Sequence, residues 1–549
     1  MHEWLSRLDQ HVPVRFVALY ASAVLCLLAT FTWVAFGFGG FWALLGLFLV
    51  GLGVRDMRQT HHSVLRNYPV MGHLRFLLEF IRPEIRQYFI ESDREAAPFS
   101  RQQRSLVYQR SKGAQDKRPF GTQLDVHAQG YEWINHSIAP TVVPGHDFRI
   151  TIGEHNAMCT QPYSASVFNI SAMSFGALSA NAILALNQGA KRGGFAHDTG
   201  EGSISVHHRV HGGDLIWEIG SGYFGCRNDD GTFNADRFAD NARDAQVKMI
   251  EVKLSQGAKP GHGGVLPGAK VTPEIAAARG VPVGVDCVSP ARHSAFNTPM
   301  EMLRFVAKLR ELSGGKPVGF KLCIGHPWEW FALAKAMLET GYLPDFIVVD
   351  GAEGGTGAAP LEFTDHVGAP LQEGLLLVHN TLVGLNLRDR IRLGCAGKVI
   401  SAFDIARMMA LGADWCNSAR GFMFALGCLQ AQTCHTGLCP TGVTTQDPHR
   451  ARALVVPTKA ERVWRFHEYT LDALKELVQA AGVQHPCEIT ARHIVRRVSD
   501  QDVKLLANLL PFLKPGELLA AMRGDVDWPH NVYRLYWPRA QSGSWQYAA

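Results

Sequence analysis

Nowhere in the 549 residues does a block of five or six like charges occur, and 54 Lys and Arg stand against 49 Asp and Glu, for a net charge of +5. That near balance excludes the basic stripe on which nucleic-acid binding rests, so no nucleic-acid partner is expected. Cysteine is scarce: 11 residues are too few for a disulfide scaffold, and an odd, partly clustered set fits a reducing compartment and a metal or redox site. Sustained heptads, internal repeats and low-complexity stretches are also missing. With 47% hydrophobic residues and 54 scattered glycines, the composition excludes disorder, collagen and coiled coil. The length can bury a large core and bounds the domain count at roughly two to four.

What is present begins with apolar runs. VRFVALYASAVLCLLATFTWVAF (14–36) is 23 residues with one charge, Arg15, at its edge. A run of that length spans a bilayer with some tilt. GFGG (37–40) and FWALLGLFLVGLGV (41–54) follow, which makes a transmembrane helical hairpin over 1–60 the first reading; one span plus an interfacial helix is the alternative. The first run is too long for a signal peptide, and a second follows at once. Arg7 and Arg15 precede the hairpin, Arg55, Arg58 and Arg66 follow it, and its turn is uncharged. The positive-inside rule then puts both ends in the cytoplasm, with a domain held at the cytoplasmic membrane.

Residues 61–120 read as a helical neck, because HLRFLLEFI and PEIRQYFIESD have helical spacing and suggest packing on the next domain. From about 165, short apolar runs alternate with Ala-rich helical stretches. Candidate strands are VFNIS (167–171), VPVGVD (281–286), PVGFKLC (317–323), DFIVVD (345–350), RIRLGC (390–395) and ADWCNS (413–418); AFDIARMMALG and PMEMLRFVAKLREL are candidate helices. Such alternation predicts a parallel sheet covered by helices, and over this length a (β/α)8 barrel within 121–455 is the natural closure. A helical C-terminal extension occupies 456–549.

Several motifs carry chemistry. Cys428, Cys434 and Cys439 are spaced by five and four residues, with Pro440 after the last. Three thiolates in a glycine-containing loop suit an iron–sulfur cluster lacking one iron better than a closed zinc site. MSFGALS (173–179) follows a candidate strand, so it falls where barrel sites are built. Its Gly176 and Ala177 admit close backbone approach to a flat ring, and Ser174 and Ser179 offer hydroxyls. Lys321 lies inside the strand VGFKLC, where a cation is costly unless it meets an anion or an electron-rich ring. In GAEGGTGAAP (351–360), the amides of Gly354, Gly355 and Gly357 can point at a phosphate or ring edge. CAGKVISAFD keeps Gly397 without a double glycine; Ala419 and Arg420 follow ADWCNS, and an arginine there pairs well with phosphate. KLSQGAKPGHGG carries Lys253 and Lys259 six apart with Gln256 between them, cations of the kind a dicarboxylic 2-oxo acid needs. Glu201 in DTGEGS is a carboxylate between two glycines. GSGYFG (220–225) matches G-x-G-x-x-G but sits in no clear βαβ unit with an acid about 20 residues on, and is not read as a nicotinamide site.

In this order, and with PTGVTTQDP (440–448), these motifs resemble the FMN and iron–sulfur domain of glutamate synthases over about 120–450. With the apolar hairpin, the chain looks most like the short, single-chain FMN-binding glutamate synthase family. The resemblance implies a (β/α)8 barrel with FMN at its C-terminal face, held by Met173, Ser174, Gly176, Ala177, Ser179, Lys321, Gly354, Gly355, Gly357, Gly397, Ala419 and Arg420. It places Lys321 near the flavin N1–C2 carbonyl. It assigns Cys428, Cys434 and Cys439 to a 3Fe-4S cluster, and Lys253, Gln256 and Lys259 to a 2-oxoglutarate pocket. Lys253, Lys259 and Glu201 are the catalytic candidates, with Glu201 a proton relay or ammonia-side residue. His262, Val265 and SPARHSAF (289–296) depart from the family pattern. The activity implied is reductive amination of 2-oxoglutarate to L-glutamate; another 2-oxo acid or amine, or a membrane-bound electron-transfer role, are the alternatives. The chain begins Met-His, without the N-terminal Cys of a glutaminase, and shows no nicotinamide domain. Ammonia and electrons are therefore expected from outside, from ferredoxin or a partner reductase subunit and from a separate glutaminase subunit.

Overall fold

The computed structural model describes residues 13–92, 94 and 97–548, so Arg7 of the orientation argument lies outside the described residues. Two compact units meet between Arg101 and Gln102. In the first, α1 (Val17–Phe36) and α2 (Gly40–Arg58) pack on each other. A Cβ added at Gly46 would stand 2.7 Å from the Cys26 Cα, so glycine is what permits the close approach. Both helices are long and apolar enough to cross a membrane, and Leu28, Phe31, Val34, Leu44 and Phe48 are exposed. Next comes α3 (Gly72–Ile85), continued by a π-helical turn at Arg86–Ile90. The stretches HLRFLLEFI and PEIRQYFIESD fall here, and Leu74, Leu77, Leu78 and Phe89 are exposed.

In the second unit eight parallel strands close a barrel: β1 (Phe168–Ile170), β2 (His197–Asp198), β3 (Leu215–Ile219), β4 (Val247–Lys253), β5 (Val318–Leu322), β6 (Phe346–Asp350), β7 (Arg392–Ala396) and β8 (Trp415–Ser418). Five of the six candidate strands lie here. VPVGVD (281–286) does not: Gly284 takes a left-handed conformation (φ 74°), Val283 and Val285 are exposed, and the segment turns into a two-stranded antiparallel ribbon of Val265–Leu266 with Cys287–Val288. A left-handed residue cannot sit in a parallel ladder, so this apolar run imitates a strand without being one. The barrel is completed by β2, β3 and β4.

The helix Pro299–Leu312 coincides with its expected span: Thr298 caps it by accepting from the Glu301 N–H, and Pro299 opens it. Chain beyond 455 covers the barrel. The 26-residue helix Val456–Ala481 packs on Ala180–Gly193, and its His467 ring stacks on Phe195 at 3.9 Å. Strand Ile494–Arg497 pairs with Glu132–Ile134 and Val503–Leu505 in a small antiparallel sheet.

Candidate active site

Side chains alternate along a strand, and directly paired residues face the same side. Glu218 pairs in register with Glu251 across β3 and β4, and Lys253 pairs with Lys321 across β4 and β5. Because Glu251 and Lys253 are two apart, all four side chains share one face, and all of them crowd the interior near the C-terminal mouth. Lys321 forms an ion pair with Glu218 and lies 3.4 Å from Glu251. Lys253 reaches Glu201 at 2.9 Å, Glu218 at 3.7 Å and the Gln256 side-chain Oε1 at 3.2 Å. Asp198, Glu218 and Glu251 come close enough together to share an ion, yet the lysine already sits among them. Asp350, at the end of β6, accepts the Gly257 N–H at 2.8 Å.

Burial and mutual charge set the protonation of this cluster. Burial, helped by the Glu218 charge, pushes Asp198 up to about 7. Glu251 is raised well above the carboxylate range, first by burial. For Lys321 burial favours the neutral amine, but Glu218 and Glu251 outweigh it and hold the ammonium. Glu201 moves the other way: burial raises it, but Lys253, Arg279 and Lys259 together bring it below its ordinary value. Burial lowers Lys259, only partly offset by Glu201; it is a loosely held cation without an ion-pair partner among the described residues.

The loops bring the remaining candidates, Gly397 excepted, to the same mouth. Met173 is buried and Ala177 exposed on the loop after β1. That loop is gripped from PTGVTTQDP, because Gln446 Nε2 donates to the carbonyls of Gly176 and Leu178 at 3.0 Å each, and the Ser179 N–H donates to Val443. Ser179 uses its hydroxyl to cap helix Ala180–Gly193, whereas Ser174 lies against Gly202 of DTGEGS. At Gly257 a Cβ would come within 1.8 Å of the Gly351 carbonyl, so the loops after β4 and β6 touch backbone to backbone. Arg420, next to Ala419 after β8, donates to the Thr356 carbonyl at 3.0 Å and lies along Gly355; Gly354 folds back on Gly351. Gly397 lines a different cavity, about 360 Å³, with Glu353, Leu371, Arg407 and Arg496, and no mouth lysine borders it. There the Glu353 carboxylate accepts the Leu371 N–H at 2.9 Å.

Cys428 and Cys439 are buried and Cys434 half-buried. Burial raises Cys428, and the charges of Cys434 and Cys439 add to it. Cys439 is lowered to about 7, because hydrogen bonds from Thr441 and Thr444 outweigh its burial. The loop abuts the β6 loop: a Cβ at Gly357 would stand 3.9 Å from the Cys434 Cβ.

Residues missed in the sequence are the acids of the mouth, Asp198, Glu218, Glu251 and Asp350, together with His293. The His293 ring bonds the Lys253 carbonyl at 2.9 Å and the Tyr223 hydroxyl at 3.1 Å, so SPARHSAF braces the lysine strand. For Glu218 and Glu251 the available signal was an acid inside the strand-like runs LIWEI and VKMIEVK.

A closed parallel barrel that gathers buried lysines and carboxylates at its C-terminal mouth defines a (β/α)8-barrel enzyme. The model of the conserved region in glutamate synthase matches residues 147–484. The chain is 38% identical over 498 residues to the glutamate synthase large subunit-like protein YerD of Bacillus subtilis, covering 83% of this chain and 94% of that one. It is 36% identical over 315 residues to an archaeal glutamate synthase [NADPH] of Methanocaldococcus jannaschii, covering 57% of this chain and 58% of that one, so it spans little more than half of that relative. Among solved structures, a mandelate oxidase variant with a monooxide FMN adduct is similar at 15% identity and a TM-score of 0.37, over 68% of this chain and 88% of that one. The chain belongs to the glutamate synthase family, oxidoreductases that act on CH–NH2 groups.

Proposed function

We propose that this protein is an FMN- and iron–sulfur-dependent glutamate synthase that converts 2-oxoglutarate to L-glutamate with ammonia and electrons supplied from outside the chain. The observation that carries the reading is the mouth itself: a buried, charge-held Lys321, an ion-paired Lys253 and a loosely held Lys259 face one opening beside the touching loops of Gly257 and Gly351. These residues fit a flavin, since the fixed Lys321 cation at the C-terminal mouth of the barrel suits a flat, electron-rich ring. The thiols fit a cluster: each ligand of a cluster binds a different iron, which asks for neighbouring sulfurs more widely spread than around a single ion. When bound, FMN supplies hydride transfer, and the cluster passes on single electrons from a donor such as ferredoxin or a reductase subunit.

The chain's own share follows from its charges. One 2-oxoglutarate, one ammonium, two electrons and two protons give one glutamate and one water. Lys259, with Gln256 and Lys253 behind it, binds and orients the substrate carboxylates. Glu201, ionised against Lys253, accepts a proton from ammonium and returns it to the departing water. Asp198, raised to about 7 by burial, can take up or release a proton within the mouth near neutral pH, and burial raises Glu251 as well. Product analysis after anaerobic reduction with 2-oxoglutarate and ammonium tests this reading: L-glutamate is expected, and its absence with a fully reduced flavin overturns it. Cys434→Ser is expected to lose cluster iron while Cys226→Ser retains it; unchanged iron in the first variant would remove the cluster assignment. The second reading, a different 2-oxo acid, is favoured by His262, whose ring meets Phe363 edge-on at 5.2 Å where the family pattern is acidic.

We also propose that α1 and α2 span the cytoplasmic membrane with the catalytic unit on the cytoplasmic side. The reading is supported by their exposed apolar surface and by Arg55, Arg58 and Arg66 just after them.

A further inference from the structure

The helix after the two apolar helices shows a second kind of amphipathy. Leu74, Leu77, Leu78, Ile81 and Ile85 recur at three- and four-residue spacing, with Phe89 a turn further on, so they form one stripe. Leu78 is 51% and Phe89 84% exposed. Arg75, Arg82 and Arg86, spaced by seven and four, run along one flank of that stripe. Arg75 pairs with Glu79 through an exposed contact, and Arg86, itself exposed, pairs with the half-buried Glu91. An exposed pair such as Arg75–Glu79 contributes little in water and is readily exchanged for another anion.

The start of this helix is pinned. Asp56, in the last turn of α2 and itself 2% exposed, accepts the Val70 N–H at 3.0 Å and lies 2.9 Å from the His73 ring nitrogen. Val70 also packs against Gly53, where a Cβ would meet it at 3.1 Å. The amphipathic helix therefore starts level with the C-terminal end of the second apolar helix. Between residues 55 and 90 six arginines stand against three acids.

We propose that the segment Gly72–Ile90 lies in the membrane–water interface, with its leucine stripe among the acyl chains and its arginine flank on anionic phospholipid headgroups. The inference rests on the membrane reading of α1 and α2. The occupant follows from what is on the segment: an apolar stripe continuous with the apolar pair, an arginine column suited to phosphate, and a pin at the membrane level. Nineteen helical residues cover about 28 Å of that surface.

Photo-crosslinking in the full chain tests it. The protein, reconstituted in phosphatidylglycerol-containing vesicles, carries Leu78→benzoylphenylalanine, Phe89→benzoylphenylalanine or, on the polar face, Glu79→benzoylphenylalanine. Leu28→benzoylphenylalanine reports on α1. Lipid adducts are expected at Leu28, Leu78 and Phe89, with about tenfold less at Glu79, the order expected for a side chain facing water instead of acyl chains. Lipid at Leu28 but a protein adduct, or no adduct, at Leu78 and Phe89 overturns the interfacial helix alone. No lipid at Leu28 overturns the membrane reading on which it rests. Equal yields at Leu78 in phosphatidylglycerol and phosphatidylcholine vesicles overturn the role given to the arginines.

Discussion

The two units place residues against the usual rules in opposite ways. The barrel mouth buries charge: Lys321, Lys253, Glu218, Glu251 and Asp198 are withdrawn from water. The N-terminal unit exposes apolar surface along α1, α2 and the leucine stripe of α3. In the mouth the compensation lies inside the chain, as opposite charges that share one strand face. In the N-terminal unit no comparable cover exists among its described residues, and the compensation has to come from the surroundings. On the readings proposed above, misplaced charge marks where the chain acts on a ligand, and misplaced apolar surface marks where it meets lipid.

The comparison breaks most visibly if the units are separated. Deleting residues 1–101 should yield a fully soluble catalytic unit, whereas deleting only 1–60 should leave a protein that still sediments with anionic vesicles. Flotation assays decide it, and identical behaviour of the two truncations would remove the distinction between α1–α2 and α3. Next in size, Lys321→Met leaves buried carboxylates without their cation and should cost about 3–5 kcal/mol of stability at pH 8. The loss should shrink at pH 5, where Asp198, raised to about 7 by burial, has taken up its proton and no longer needs the cation. Denaturant melts at both pH values measure it, and a pH-independent loss would mean that packing, not charge, makes Lys321 necessary.

Lys259→Ala touches the loosely held cation and should leave the fold and the flavin spectrum unchanged. A charge-assisted hydrogen bond contributes roughly 1.5–3 kcal/mol, so KM for 2-oxoglutarate should rise on the order of 10- to 150-fold. Unaltered kinetics would return the loop to solvent; loss of FMN would reassign the lysine. The smallest effect belongs to Asp198. Its folded value, about 7, lies above its ordinary 3.8, so the folded state holds the proton more tightly. Its contribution is present below about pH 4 and is lost as pH rises through 7. Asp198→Asn removes that titration and should gain stability relative to the parent between pH 5 and 8, read as a growing difference in Tm. A constant difference would show that Asp198 titrates normally.

Much of the barrel was legible because its strands are short apolar runs ending in small residues. Five of the candidate strands proved to be barrel strands, and helix Pro299–Leu312 was marked at its start by Thr298 and Pro299. VPVGVD misled because an apolar run without its dihedrals reads like a strand. His197–Asp198 is only two residues long, too short for any periodic signal. In the site, Lys253, Lys259, Lys321 and Glu201 stood out because glycine-rich motifs or an apolar strand surround them. Glu218 and Glu251 did not, since an acid inside a strand is informative only once register shows which residues face it. Ser179 illustrates the converse: its hydroxyl was visible, but only the backbone reveals that it caps a helix.

The pairing of Glu218 with Glu251 and of Lys253 with Lys321 also governs which lengths the chain tolerates. Adding or deleting one residue ahead of Glu251 in Val247–Lys253 would turn Glu251 and Lys253 outward into the helical layer and bring their neighbours into the mouth. The same change at Gly261, whose Cβ position has nothing within 4 Å, displaces only loop. Descent with insertion and deletion is therefore channelled to the loops, where substrate choice can drift while the charged floor beneath keeps its count of residues.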